Sequence, residues 1–134
     1  MPRIFGHDLL GVALGALAFY LVGFLIYGMV FGEYYQQINN VPAGYVVSST
    51  SMAMGLIMPI VSTLGFAWIM NKAGKGSITA YVTTGIVLAV AIACMGLMYI
   101  AVYGPHYSFE AFGLDAVHQV LAFAAAGAVL GSRK

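Results

Sequence analysis

The chain has 134 residues, of which 62% are hydrophobic and only 7% charged, with a formal net charge of +1. A water-soluble domain carries about 25% charged residues, so this composition excludes one. The few cations are dispersed, which also excludes a basic surface for nucleic acid.

Arg3 precedes the first apolar run, Leu9 to Gly32. That run exceeds the roughly 7–15 residues of a signal-peptide core and reaches the roughly 20 residues a bilayer requires. It is read as a retained first helix. Its residues sort onto two faces. Gly11, Gly15, Ala18 and Val22 form a small-residue face suited to close helix contact, and Tyr20, Phe24, Tyr27 and Phe31 lie opposite. Tyr20 falls near the middle of the span, where its hydroxyl needs a partner. Before it, His7 and Asp8 read as an interfacial cap, because an acidic group suits a helix N-terminus.

Glu33 to about Gly44 is polar and reads as a loop, with room for an interfacial turn. A second helix is expected over 45–70, with a hydroxyl-rich start at Ser48–Ser51. Pro59 lies within it and leaves the carbonyl of Gly55 without its helical donor, so a bend is expected there. Ser62 and Thr63, one turn on, are placed to re-pair freed backbone groups. The loop Asn71-Lys-Ala-Gly-Lys-Gly76 permits a tight turn. A third helix is expected over 77–103, stopped by Gly104-Pro105, and a shorter fourth over 114–131. The expected architecture is therefore all-α, one domain over residues 1–134, an integral membrane four-helix bundle.

With four crossings, Arg3, Lys72, Lys75, Arg133 and Lys134 share one side and Glu33, Glu110 and Asp115 the other. Lys and Arg are retained on the cytoplasmic side of a membrane, so the N-terminus and C-terminus are expected in the cytoplasm. Trp68 and Tyr34, Tyr35, Tyr99, Tyr103 and Tyr107 fall near span ends, where amphipathic rings settle.

The last span has two small faces. Ala122 and Ala125 lie with His118 and Val129, and Ala116, Ala124, Gly127 and Gly131 lie on the other. One face serves the bundle, and the second is expected to meet another chain. His118 is the foremost polar candidate inside a span, since ionisable groups there face a bundle interior or a cavity. Asp115, one turn earlier, lies on the same face. The pair suits a proton or cation site, and a histidine that merely ties helices together is the plainer alternative. Glu33, His106, Glu110, Asp115 and His118 could be drawn as a metal cluster, but no fixed ligand spacing supports one. A lone intramembrane histidine does not provide bis-histidine haem ligation. Cys94, alone in an apolar run, is read as a small apolar residue. No catalytic residue, metal or cofactor is assigned, and no enzyme activity is expected.

Two segments carry a family resemblance. Gly15-Ala-Leu-Ala-Phe-Tyr20 leads to Val30-Phe-Gly-Glu-Tyr-Tyr35, and Asp115-Ala-Val-His-Gln-Val120 leads to Ala126-Gly-Ala-Val-Leu-Gly131. In these the chain resembles the small bacterial four-helix membrane proteins catalogued as domain of unknown function 1761. It departs from them in having Phe19-Tyr20 where Trp-Tyr is usual, and in lacking a Ser-Pro-like step afterwards. The resemblance implies fold and location but no activity. The functional expectation is a structural or accessory subunit in a homo-oligomer or larger membrane complex, with the lipid bilayer and other membrane subunits as partners. The alternative is an oligomeric transporter or channel for protons, ions or a small solute, using His118, Asp115, Tyr20 and the Pro59 bend.

Overall fold

The computed structural model describes residues 1–134. A short hairpin pairs β1 (Arg3–Ile4) with β2 (His7–Asp8), antiparallel. Its turn residues Phe5 and Gly6 both have left-handed φ, 49° and 78°, as a two-residue type I′ turn requires. Four long helices follow: α1 (Leu9–Val30), α3 (Ser49–Lys72), α4 (Ile78–Tyr103) and α5 (Phe109–Ser132). They span 22 to 26 residues, or about 33–39 Å. A hydrocarbon layer is about 30 Å thick, so each helix is long and apolar enough to cross a membrane.

The helix starts follow from capping chemistry. Asp8, Ser48, Ser77 and Ser108 each accept a hydrogen bond from the backbone N–H three residues on, satisfying a donor that has no partner within the helix. This moves two expected boundaries. α3 starts at Ser49 rather than 45. α5 starts at Phe109 rather than 114 and, at 24 residues, is not the shortest span. Gly113 is an ordinary helical position within it. Residues 33–38, expected in a loop with room for an interfacial turn, belong to a short helix α2 (Gly32–Ile38). Two wider π turns, Phe24–Val30 in α1 and Ala89–Cys94 in α4, had no sequence signal.

The starts of α1 and α4 and the ends of α3 and α5 meet at one end of the bundle, together with both termini. We call this the terminal end and its opposite the far end. The main core of Val12, Phe66, Ala67, Met70, Tyr81 and Leu130 sits toward the terminal end. A second cluster, Phe19, Ala122 and Ala126, continues it toward the far end. Beyond that the packing opens, and every α3 residue from Ser49 to Met58 is exposed.

α5 is the central helix, and glycine sets its contacts. A Cβ on Gly127 would lie 2.8 Å from the Tyr81 carbonyl oxygen, and one on Gly85 2.6 Å from the Phe123 carbonyl oxygen. Gly131 is as tight against Ile78. Such approach is open only to residues without side chains. Both small faces therefore meet neighbouring helices, the Gly127 face α4 and the Ala122 face Phe19 of α1, so the expected division into an inner face and one left for another chain is not seen. Gly11 and Gly15 are buried on α1, with Gly15 against Thr63 and Leu130. Ala18 is half-buried. Cys94 is buried, its thiol directed at the Ala116 carbonyl at 3.9 Å.

Candidate functional site

Polar side chains gather at two places, one at each end. At the terminal end His7 is wholly buried. The tight hairpin turns it inward, with its ring edge-on to that of Tyr81 at 5.6 Å. Its Nδ1 lies 2.9 Å from the Phe5 carbonyl oxygen and its Nε2 2.6 Å from the Tyr81 hydroxyl. A carbonyl can only accept, so Nδ1 carries the proton and the Tyr81 hydroxyl donates to Nε2. Burial holds the imidazole below its ordinary pKa, opposed by the Phe5 carbonyl and reinforced by nearby Lys75. Around it Lys75 Nζ donates to the Gly6 carbonyl at 2.6 Å, and Arg133 pairs with Asp8 at 3.2 Å. Asp8 also accepts from the Gly11 N–H, which with Arg133 holds its carboxyl below the usual range. The sequence marked Asp8 correctly as a cap. It gave no signal that His7 closes the end of the bundle, because its partner lies 74 residues away.

At the far end Asp115 does not pair with His118. Its two carboxylate oxygens accept from different hydroxyls, Tyr27 of α1 and Tyr107 in the turn before α5. Tyr35 of α2 packs edge-on against Tyr27 at 4.9 Å. Burial pushes the Tyr35 and Tyr107 hydroxyls above their ordinary pKa, and the Asp115 charge adds to the rise.

His118 is half-buried, edge-on to Phe19 at 6.0 Å and Tyr27 at 5.0 Å. Its Nε2 sits 3.0 Å from where a Gly23 Cβ would be, so the missing side chain at Gly23 makes room for the ring. Gly23 is a site residue that the sequence reading missed. Its only signal was a glycine in the helix that also carries the aromatic face. His118 forms no hydrogen bond or ion pair with another side chain.

The imidazole borders a cavity of about 240 Å³ between α1 and the first halves of α3 and α5. Phe19, Tyr20, Phe24 and Tyr27 wall it on one side, and Gly55, Met58, Pro59 and Ser62 on the other. Gln119 joins His118 from α5. Tyr20, expected to be an interior polar group, is 39% exposed at the cavity edge. The Thr63 hydroxyl, expected to re-pair freed backbone, is buried without a partner.

Glu33, His106 and Glu110 are exposed, and no three His, Cys, Asp or Glu side chains gather as metal ligands. His106 lies ahead of α5 and Glu110 in its first turn, so the two do not share a helix.

Fold and site together define an all-helical protein with four helices of membrane-crossing character, closed at one end and cleft at the other. Residues 10–131 match the family described as "Protein of unknown function (DUF1761)", and the chain belongs to that family. No curated protein and no solved structure matches it.

Proposed function

We propose that the chain is a multi-pass protein of the bacterial inner membrane, with both termini in the cytoplasm, and acts as a structural or accessory subunit against copies of itself or other membrane subunits. The observation that supports a subunit role is the uncovered outward face of α3. Met54, Ile57, Val61 and Trp68 follow one another along it, all exposed, while the small faces of α5 are engaged inside. The five cations at the terminal end support the orientation. Gentle extraction of the tagged protein, followed by native mass measurement, tests the subunit role. A defined assembly is expected, and a stable partner-free monomer would overturn it. Labelling of Lys72 and Lys75 by an impermeant amine reagent outside intact cells would overturn the orientation.

The transporter or channel reading has the His118 cavity in its favour. Against it stands the terminal end, where the main core and the His7–Tyr81 contact fill the space an internal path would need. Flux in liposomes that is unchanged by His118→Ala would count against it further.

A further inference from the structure

The His118 cavity continues into a second and larger hollow. Between α1 and α3 runs a groove of about 530 Å³ toward the terminal end. Leu9, Val12, Ala16 and Leu17 line it from α1, and Leu56, Ile60 and Leu64 from α3. Tyr20 and Pro59 belong to both spaces and form the junction. From Tyr20 to Leu9 is eleven residues of helix, about 16 Å. The pair is thus a small chamber with hydrogen-bonding groups, opening onto a long apolar channel.

The two parts call for different chemistry. The chamber offers the imidazole of His118, the amide of Gln119 and the hydroxyl of Ser62. Pro59 has no N–H to give the Gly55 carbonyl, so that oxygen is available as well. Four aromatic side chains wall the space, an environment that favours a flat ring. All Lys and Arg residues lie at the terminal end, so a phosphate or carboxylate head would find no counter-charge in the chamber. A cationic head fares no better, because both oxygens of Asp115 are engaged by tyrosines. The volume lies below the roughly 300 Å³ at which drug-sized pockets begin, which suits one ring.

We propose that this chamber and groove bind a neutral lipophile with a flat, oxygen-bearing ring head and a hydrocarbon tail, the chemistry of an isoprenoid quinone or quinol. The head lies against His118 and Gln119, and the tail passes Tyr20 and Pro59 into the α1–α3 groove. The proposal does not depend on the subunit reading above.

The test uses the full chain in lipid nanodiscs, titrated with a short-chain benzoquinone bearing a ten-carbon tail. Wild type is expected to bind it saturably. His118→Leu removes the hydrogen-bonding edge at similar bulk and is expected to weaken binding about tenfold, the worth of one good hydrogen bond. Gly55→Leu fills the chamber from a position with nothing within 4 Å of its Cβ, so it is expected to abolish binding with the melting temperature unchanged. The same ten-carbon chain without the ring is expected to compete poorly. Equal binding by wild type and Gly55→Leu, an unchanged affinity in His118→Leu, or equal competition by the ringless chain would each overturn the proposal. The last result would mark the groove as an ordinary seat for a lipid tail.

Discussion

Each end of the bundle holds a histidine beside tyrosine, and the two are handled in opposite ways. His7 has both nitrogens engaged and is wholly buried. His118 has its ring edge-on to two aromatics and its nitrogens beside an open chamber. The carboxylates differ in the same sense. Asp8 ties chain segments together through Gly11 and Arg133, while Asp115 takes up two tyrosine hydroxyls beside the chamber and leaves its neighbouring imidazole unpaired. A polar group with satisfied partners contributes to stability, and one left with unused donors is available to a ligand.

The largest expected effect tests the tight half. Gly127→Val places a branched side chain against the Tyr81 carbonyl. It is expected to destabilise by about 3 kcal/mol, the upper range for overpacking. Gly96→Ala, in open space, is expected to cost nothing. Thermal unfolding in detergent compares them, and equal melting temperatures would break the contrast between tight and open regions. Next, Tyr81→Phe leaves the His7 Nε2 buried without its donor, at about 1–3 kcal/mol. Tyr27→Phe leaves Asp115 with Tyr107 and is expected to lose about 1 kcal/mol. A larger loss for Tyr27→Phe would invert the assignment of structural and available ends.

Proton linkage gives a third test. Burial lowers the folded-state pKa of His7 from its ordinary 6.5. The unfolded chain then binds the proton more readily, so the stabilising neutral form is fully effective above pH 6.5 and stability falls on acidification below it. Unfolding midpoints measured from pH 7.5 to 5 are expected to fall in wild type and to fall less in His7→Gln. The same slope in both would remove His7 from that role. The smallest effect is expected from Arg133→Gln. The Asp8 pair is partly exposed and so contributes about 0–1 kcal/mol, with Asp8 still capping α1. A loss well above that in moderate salt would mean the pair does more than close a surface contact.

The four long helices were legible because apolar runs near 20 residues have few other solutions. The glycine faces were legible as contact faces, but not their partners. Gly127 and Gly131 were expected to pack against a helix and meet α4, but which small face of the last helix serves the bundle was left open, because helical faces do not fix the arrangement of helices. The expected α5 start at 114 follows the apolar run, whereas the Ser108 cap starts the helix at Phe109, and a helix tolerates the intervening Gly113 at about 1 kcal/mol. His118 and Asp115 were singled out as polar groups of the last helix, and the structure pairs Asp115 with Tyr27 and Tyr107 rather than with His118. The competing tyrosines come from elements far away in the chain, and spacing within one helix carries no information about them. His7 was hidden for the same reason.

The contact between His7 and Tyr81 also sets an order of events during synthesis. The hairpin is made before its partner, which follows 74 residues later, roughly 4–15 s at about 5–20 residues per second. Throughout that interval the first helix exists without the lock on its own beginning, and only arrival of the third can fasten it. Gly127 and Gly131, which seat Tyr81 from the other side, come later still. The hairpin, translated well before its partner, is therefore among the last parts of the bundle to be fixed.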